Sequence, residues 1–535
     1  AVYATVFFAL AAFGRLCRVE LSVTALAGVA AAAASLVREG RSAGGSRSVR
    51  TAALAAVAVA AALAGAFFLG LYPPTAFDET LYHLPTVGAF AASGRMPFVA
   101  SLRVPVFPNA AEALEVPLLL FGGDPATHLL ALLAAAATAL LAYAAAAEEG
   151  EAAGWLAAAL FLSSPIVVHL ASTGYVEAPL TLFCFASYVL LVRPENGTRP
   201  GRIALAGALA GEAAAVTYLG LPWVAGIAIA AAALSPRGKR LRAAALSGAM
   251  AFALLGPWYA RIVSATGNPV FPFLPGVFGH GLWDPVGLPR PGALDGLRDL
   301  VRLPWDTVFA RARVNHQPPF SPWFLLASPL LVWRAIRDLR ARIAAAVCLA
   351  WGALWLAMPR DSRYLAVVLP ILSVETARAA AAAGRRFGRR LAPALAALAV
   401  SPGIAYAGLR IAREGPLPGD AAARDRYLAA KVPAWRAVAF LNRSDPGGTV
   451  FVCGGEQLRW YFSGKMIGDL AGIARYDRIL SAPDGPELAR RLDALGVRWI
   501  LRARAGCRAA VFDRADFPYR TVYSDAGAEV DERIR

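Results

Sequence analysis

The sequence predicts an all-α membrane protein with many spans and a small α/β domain at its C-terminal end. Of its 535 residues, 58% are hydrophobic and only 17% are charged, against about 25% charged residues in an ordinary soluble domain. That much apolar surface exceeds what one water-soluble core can bury. From about residue 415 onward, long apolar runs give way to short alternating helix and strand patterns, which are typical of a soluble fold.

Apolar runs long enough to cross a bilayer, or to form half of a broken span, occur about 13 times. They lie at about 1–14, 21–37, 51–72, 125–147, 152–170, 177–192, 203–217, 219–234, 243–263, 320–333, 343–358, 363–377 and 391–409. We therefore expect a multi-span region over residues 1–414, with long outer segments at about 73–123 and 264–319. Alanine dominates many runs, and small residues let helices approach closely in lipid.

Basic clusters between the runs predict the orientation of the chain. The clusters that fall on one side are Arg38–Arg50, Arg193–Arg202, Arg237–Arg242, Arg334–Arg342 and Arg378–Arg390. Because Lys and Arg accumulate in cytoplasmic loops, this side is predicted to be cytoplasmic, in a bacterial-type inner (cell) membrane. The formal charge of +17 is explained by these loops, and nucleic acid is not an expected partner.

The region 415–535 then faces away from the cytoplasm as an extracytoplasmic α/β domain. Its pattern predicts helices at Pro433–Asn442 and Pro486–Leu495 and strands at Thr449–Cys453 and Val497–Leu501. Cys453 and Cys507 pair if this domain folds in an oxidising compartment, and two unrelated thiols are an equal alternative.

The first outer segment contains FDETLYHLP, in which Asp78 and Glu79 form an adjacent carboxylate pair. Tyr82 and His83 follow on the next turn, and an apolar stripe continues to Phe90, which predicts a helix lying at the membrane surface. A solvated pair at a helix N-terminus is the simpler alternative. A carboxylate pair at that position would suit chemistry on a lipid-linked substrate.

Further along the same segment, FPNAAEALEVP places Asn109, Glu112 and Glu115 three residues apart. This spacing puts the three polar side chains roughly on one face of a helix. The alternative is that they form the exposed face of an interfacial helix.

Acids and bases elsewhere also lie at the predicted outer edge of the membrane. Glu177 opens an apolar run, whereas Glu212 lies inside one, where an ionisable group usually faces a cavity or a partner. His316 lies in the second outer segment and is a candidate ligand for a metal or a phosphate. Arg363, in MPRDSRYLAVVLP, breaks the positive-inside pattern and so predicts an anionic ligand, the alternative being an ion cluster within Arg360–Arg363.

Together these motifs resemble the GT-C glycosyltransferases, in particular the branch that holds the protein O-mannosyltransferases and the lipid A aminoarabinose transferase. The resemblance rests on Asp78–Glu79 in the first large outer loop, Glu177 opening a later one, and Arg363–Tyr364 before a span containing Leu369–Pro370. It covers roughly residues 51–409. The sequence departs from the family pattern in two ways. Two apolar runs precede the span that leads to the acidic loop, whereas the family usually has one. Glu177 also occupies a position where the family commonly has Asp.

The resemblance implies transfer of a sugar from a polyprenyl phosphate to an acceptor hydroxyl on a lipid, glycan or protein at the outer membrane face, with inversion. Asp78 is the implied base and Glu79 its support. The implied substrate-binding residues are Tyr82, His83, Asn109, Glu112, Glu177, Arg363 and Tyr364. A divalent metal ion is left open as a cofactor, with candidate ligands His83, Glu112, Glu177 and His316.

Three other classes of protein fit parts of the sequence. A transporter or lipid flippase would explain Glu212 and a break at Gly220–Pro222, but it predicts inverted repeats that the sequence does not show. A surface-polysaccharide ligase or polymerase would also use polyprenyl-linked sugars, yet typically presents its charged groups in a late outer loop. A structural or receptor protein would place its function in the C-terminal domain.

Overall fold

The computed structural model describes residues 49–192, 199–284, 293–384, 392–507 and 510–534. The apolar runs predicted at 1–14 and 21–37 lie outside these ranges. Within them, the chain up to residue 414 is mainly helical, and a small mixed sheet with short helices follows. This agrees with the predicted change of pattern near residue 415.

Helices form wherever an apolar run was predicted within the described residues. The longer helices are Val49–Gly70, Ala110–Gly122, His128–Ala146, Glu151–Leu162, Glu177–Val192, Pro200–Val216, Gly220–Leu234, Arg240–Thr266, Ala293–Phe309, Pro322–Arg337, Leu339–Trp355, Leu369–Gly384 and Ala392–Glu414. Shorter helices are Leu84–Ser93, Pro165–Leu170, Pro275–Phe278, Ala421–Lys431, Trp435–Ser444, Tyr476–Ile479 and Gly485–Asp493. The run at 152–170 is broken after Leu162, because Pro165 cannot continue the hydrogen-bond ladder.

Among the described residues, three helical stretches are long and apolar enough to cross a membrane by themselves: Asp124–Glu149, Arg237–Thr266 and Ser362–Ala383. Shorter apolar helices also occur, such as Glu177–Val192 and Gly220–Leu234. The expected number of spans, about 13, therefore stays a prediction.

Small residues set the helix spacing in this part of the chain. A side chain added at Gly207 or Gly211 would collide with the backbone of Ser247 or Ala251 on the helix Arg240–Thr266. Likewise, Gly403 lies directly against the carbonyl of Leu162. Such close approach maximises van der Waals contact, which is the force that joins helices in lipid.

The C-terminal region contains one five-stranded sheet. Its strands are β1 (Thr449–Cys453), β2 (Lys465–Ile467), β3 (Trp499–Ala503), β4 (Tyr519–Ser524) and β5 (Ala528–Arg533). The strand order is β2-β1-β3-β5-β4; β1 pairs in parallel with β2 and β3, and the hairpin β4–β5 adds antiparallel strands beside β3. The predicted β1 and β3 are confirmed, whereas β2, β4 and β5 were not predicted.

This sheet region is seated on the first outer segment. Trp460 donates a hydrogen bond to Asp124 (3.1 Å), and Tyr461 donates one to the carbonyl of Pro74. Arg103 forms an ion pair with the buried Asp469 (2.6 Å). The C-terminal region therefore braces the segment that carries Asp78.

Cys453 and Cys507 form a disulfide that joins the end of β1 to the loop after β3. The pairing resolves the alternative that the sequence left open. Disulfides persist in oxidising compartments, so the bond supports an extracytoplasmic C-terminal region.

Breaking this disulfide should destabilise the sheet region. The bond closes a loop over a sequence separation of 54 residues, for which loss of a native disulfide costs about 2–5 kcal/mol. Dithiothreitol should therefore lower the thermal unfolding temperature of the purified protein, and Cys507→Ser should abolish that sensitivity. Cys348→Ala, which removes a free thiol, should leave it unchanged. If dithiothreitol left the unfolding temperature of the unmodified chain unchanged, the disulfide would be absent or without effect on stability.

Candidate active site

The acidic segment begins directly after the helix Val49–Gly70, where Pro73 and Pro74 end the helical pattern. Asp78 then precedes one turn of π-helix, Glu79–His83, which continues into the helix Leu84–Ser93. The predicted apolar stripe exists, but Val87 and Phe90 are fully buried within the protein. The stripe therefore packs against protein instead of lipid, and the location of this helix at the membrane surface stays a prediction.

Arg363 is the point on which the acidic residues converge. Its guanidinium contacts Asp78 through Nη2, and its Nε lies 3.3 Å from Glu177 and 3.2 Å from Asp361. The Arg363 residue is only 7% exposed, and Glu177 and Asp361 are 4% and 3% exposed. The structure thus brings together Asp78, Glu177 and Arg363, three residues that the sequence singled out separately.

Aromatic rings enclose the same guanidinium. Its central carbon lies 4.8 Å from the ring centroid of Tyr175 and 5.1 Å from that of Tyr364. Arg363 also donates a hydrogen bond of 3.1 Å to the Tyr364 hydroxyl. Burial, followed by the charge of Asp78, raises the pKa of the nearby Tyr82 well above its usual value, so this hydroxyl stays neutral.

Asp361 holds Arg363 in place through its two carboxylate oxygens. One of its oxygens accepts a hydrogen bond from the backbone N–H of Arg363 (3.0 Å). The other accepts from the side chains of Asn315 (2.7 Å) and Gln317 (3.0 Å) in the second outer segment. Arg360, by contrast, forms an ion pair with Asp299 (2.7 Å), so only part of the predicted Arg360–Arg363 ion cluster is present.

One oxygen of this cluster has no hydrogen-bond partner. Within the described residues, Glu177 Oε2 is buried without a partner, whereas Arg363 Nε lacks a well-aligned hydrogen bond but lies 3.2–3.3 Å from two carboxylates. Buried polar atoms are rarely left unpaired, and exceptions occur often at functional sites. One acceptor, Oε2 of Glu177, is therefore available here to a bound molecule.

Both carboxylate oxygens of Glu79 have hydrogen-bond partners. The carboxylate accepts hydrogen bonds from the backbone of Gly174 (2.6 Å) and Ala76 (3.2 Å), and it lies 2.5 Å from Nε2 of His128. Because Nδ1 of His128 must donate to the carbonyl of Gly70, one proton is shared between His128 and Glu79. The role of Glu79 as a support for Asp78 stays a prediction.

The polar face of the helix Ala110–Gly122 points inward. Asn109, Glu112 and Glu115 are 4%, 2% and 2% exposed, which rules out the exposed interfacial face. His83 Nδ1 lies 2.8 Å from Glu112. Burial, reinforced by the charges of Glu112 and Glu79, raises the pKa of Glu115 well above its usual value.

Arg261 holds the turn before that helix. It donates hydrogen bonds to the carbonyls of Met96 and Pro97, and to both the carbonyl of Phe107 and the side chain of Asn109. Asn109 therefore acts in the structure as an acceptor for a positioning arginine. This contact could not be predicted from the sequence, because Arg261 lies at the end of an apolar run and its partners are distant in the chain.

The candidate metal ligands do not assemble into one centre. His83 and Glu112 pair with each other, Glu177 contacts Arg363, and His316 is exposed at a positive φ of 55°. Across the described ranges, no group of at least three His, Cys, Asp or Glu side chains is arranged to hold a metal ion. The ligand set left open by the resemblance thus does not match this geometry, and no step is assigned to a metal.

An apolar cavity of about 210 Å³ lies between the segment that carries Arg363 and the helix Ala293–Phe309. Leu365 and Val368, two and five residues after Arg363 in the chain, line one wall. Leu300 and Leu303 of the helix Ala293–Phe309 line another. The cavity therefore begins two residues from Arg363 along the chain, although Arg363 itself is not part of its lining.

Solved structures show which known proteins share this arrangement of helices and sheet. ArnT of Cupriavidus metallidurans, the lipid A aminoarabinose transferase, matches in its apo state with a TM-score of 0.60 and 14% identity, over 89% of this chain and 97% of that one. Its structure bound to undecaprenyl phosphate gives a TM-score of 0.59 over the same shares. The fold is a GT-C fold.

A more distant match supports the same fold. The oligosaccharyltransferase of Archaeoglobus fulgidus, in complex with zinc and sulfate, matches with a TM-score of 0.50 and 10% identity, over 83% of this chain and 68% of that one. Both matched proteins are GT-C glycosyltransferases. The family model SF2091/S2213 matches residues 423–531, and no curated protein matches the chain by sequence. The GT-C resemblance inferred from the motifs is thereby confirmed as a fold.

Glu115 provides a prediction for pH dependence. Because its folded-state pKa is raised above the ordinary value near 4.5, the folded protein keeps a proton that the unfolded chain releases above that pH. This contribution to stability is complete below the ordinary pKa and is lost as pH rises through the raised pKa. Glu115→Gln should therefore flatten the fall of the unfolding temperature with rising pH, measured by differential scanning fluorimetry. Glu151→Gln, at an exposed position, should leave the unmodified profile. If the unfolding temperatures of Glu115→Gln and of the unmodified chain fell in parallel as pH rises, a group other than Glu115 would be responsible for the fall.

Proposed function

We propose that this protein is a membrane glycosyltransferase that moves a sugar from a polyprenyl phosphate to an acceptor hydroxyl at the outer membrane face. The observation that carries the proposal is the contact of Arg363 with Asp78 and Glu177, in a chain segment whose next residues, Leu365 and Val368, line an apolar cavity. A guanidinium recognises a phosphate, a carboxylate accepts a proton, and an apolar cavity accepts a prenyl chain. The matched ArnT structure holds undecaprenyl phosphate, which agrees with this choice of donor.

In the proposed reaction, Asp78 accepts the proton of the acceptor hydroxyl as its oxygen attacks the anomeric carbon of the sugar. A new carbon–oxygen bond forms on the face opposite the departing group, so the anomeric centre is inverted. The bond from the anomeric carbon to the phosphate oxygen breaks, and the phosphate leaves with the electron pair. No oxidant, reductant or further co-reactant is needed.

Arg363 is proposed to stabilise the leaving phosphate. The guanidinium stays charged in any environment, and its N–H groups, which lie against carboxylates in the structure, can donate to a phosphate oxygen in their place. When the phosphate also engages Nη2, Asp78 is released from the guanidinium and its oxygen becomes free for the hydroxyl proton. Arrival of the donor would thus prepare the base.

The remaining candidates take positioning roles in this proposal. The unsatisfied Oε2 of Glu177 can accept a hydrogen bond from a sugar or acceptor hydroxyl. Tyr82 and Tyr364 present hydroxyls next to Arg363 and Asp78. His83 and Glu112 form a second polar pair behind them. His316, which is exposed, is given no role.

The donor class can be tested directly. The purified full chain, reconstituted in vesicles, is incubated with a panel of radiolabelled polyprenyl-phosphate sugars and an extract of membrane glycolipids. Release of polyprenyl phosphate with transfer of label to an acceptor supports the proposal. Absence of release from every donor, with the fold intact, would overturn it.

Replacing the base tests its assignment. Asp78→Asn keeps the size of the side chain but cannot accept the hydroxyl proton, so transfer should fall by about 10²–10⁴-fold. Asp295→Asn, at an exposed carboxylate of the second outer segment, should transfer at the normal rate. Initial rates at saturating donor make the comparison, and near-normal transfer by Asp78→Asn would move the role of base to Glu79 or another group.

Arg363→Lys tests the donor phosphate contact. Lysine keeps the charge but loses the planar fork, so kcat should fall about 10–100-fold, beyond any rise in KM. Arg363→Ala is less informative, because leaving buried carboxylates without their partner costs about 3–5 kcal/mol of stability. Arg426→Lys, an exposed arginine of the C-terminal region, is the matched control. Unchanged kcat in Arg363→Lys would contradict a contact that strengthens as the phosphate leaves.

A further inference from the structure

The helix Ala293–Phe309, here called the amphipathic helix, presents a row of large apolar side chains to its surroundings. Leu297, Val301, Trp305 and Phe309 are 60%, 73%, 55% and 57% exposed. Their spacing of four residues places them along one side of the helix. Single exposed apolar residues are ordinary, whereas a contiguous row marks a contact surface.

The charged residues of this helix are arranged unequally around the row. Arg298 and Arg302 are exposed and follow row residues by one position, so they border the apolar side. On the far side, Asp299 and Asp306 are engaged by Arg360 (2.7 Å) and Arg313 (3.0 Å). Guanidinium groups bordering an apolar row are complementary to a membrane surface that contains anionic lipids.

The inner side of the same helix closes the apolar cavity of about 210 Å³ described above. Leu300, Leu303 and Val308 line this cavity opposite Leu365 and Val368. The helix is seated closely on its neighbour, because a side chain added at Gly352 would come within 3.0 Å of Leu300. The amphipathic helix is therefore a wall between the cavity and the surroundings of the protein.

The apolar row also continues an apolar surface. The next helix, Pro322–Arg337, contacts the amphipathic helix and exposes Leu326, Val332 and Ile336 by 68%, 61% and 71%. Arg363, two residues before the cavity-lining Leu365, lies at the first turn of the candidate span Ser362–Ala383. Asp299 of the amphipathic helix pairs with Arg360, just before that span begins, so the helix is anchored near the end of a candidate membrane-spanning segment.

We infer that the amphipathic helix lies in the outer interface of the membrane, with its row in the lipid and its arginines at anionic head groups. There it forms the side wall past which a polyprenyl phosphate brings its chain into the cavity and its phosphate to Arg363. The location in the membrane stands alone, whereas the identity of the entering lipid rests on the proposed function. The Asp299–Arg360 ion pair links this wall to the segment that carries Arg363.

The location is tested by fluorescence depth measurement on the full chain in vesicles. In a background with Cys17, Cys184 and Cys348 replaced by Ala, Val301→Cys carries an environment-sensitive fluorophore, and Asp295→Cys is the matched control. Lipids brominated on their acyl chains should quench the label at position 301 at least about twofold more than at 295. Phosphatidylglycerol should increase the difference, and Arg298→Gln with Arg302→Gln should remove that increase.

Two outcomes would overturn the location. Equal quenching at both positions means that the row faces water. Shielding of position 301 from aqueous iodide without quenching by brominated lipid means that a protein or a second copy of the chain covers the row.

The role as a wall is tested by Val301→Asp, a change at an exposed position that leaves the packing intact. Transfer from a long-chain polyprenyl donor should fall about tenfold, because a carboxylate is costly in the lipid interface. Transfer from a short-chain, water-soluble donor should stay within about twofold of normal, since that donor need not pass through lipid. Equal losses with both donors would refute the side wall. If the unmodified chain used neither donor, the proposed function would fail, and so would the inference that a polyprenyl phosphate enters past this helix. The quenching result would still decide whether the helix lies in the membrane interface.

Discussion

The buried guanidinium of Arg363 is the contact on which the candidate site depends. Arginine cannot shed its charge to suit an apolar environment, so the surrounding chain must supply carboxylates and aromatic faces to it. Asp78, Glu177 and Asp361 come from separate segments, and Asp78 lies 285 residues from Arg363 in the sequence. The requirement to neutralise one cation therefore fixes the relative position of the first outer loop, the start of a helix and the end of a candidate span.

The residues around Arg363 are in turn held by contacts with side chains that do not touch the reacting atoms. Asp361 is fixed by Asn315 and Gln317, and Glu79 by His128 and Gly174. Because these surrounding contacts set the geometry of the site, its side chains can keep their orientation when a substrate replaces the contacts among Arg363 and its carboxylate partners. Exchange of Asp78 for a phosphate at Arg363 is the replacement that the proposed reaction requires.

Sequence reasoning located the principal groups because each violates a local rule. Asp78 and Glu79 adjoin a proline-terminated apolar run, and Arg363 is basic on the side that should lack basic residues. His128, Tyr175 and Arg261 were missed because a histidine, a tyrosine or an arginine beside an apolar run is unremarkable until its partner is known. Periodicity likewise gave the buried stripe ending at Phe90 but not its partner, since a stripe that faces protein and one that faces lipid have the same spacing.

The structure of the C-terminal region could be predicted only in part. β1 and β3 are apolar strands buried at the centre of the sheet, and such runs are visible in a sequence. β2 has three residues, and β4 alternates poorly because much of it is exposed. The contacts of the C-terminal region with the first outer segment could not be predicted either. The hydrogen bond between Trp460 and Asp124 joins positions 336 residues apart, and no local sequence pattern indicates it.

The contact of Tyr461 with Pro74 spans 387 residues of sequence, and it has a consequence for the biogenesis of the protein. Chains emerge from the ribosome N-terminal end first, at about 5–20 residues per second. The loop that carries Asp78 therefore leaves the ribosome well before the sheet that braces it. During that interval the acidic loop lacks its brace and Asp78 lacks Arg363. Completion of the chain, more than insertion of its first helices, is the event that gives this loop its final shape.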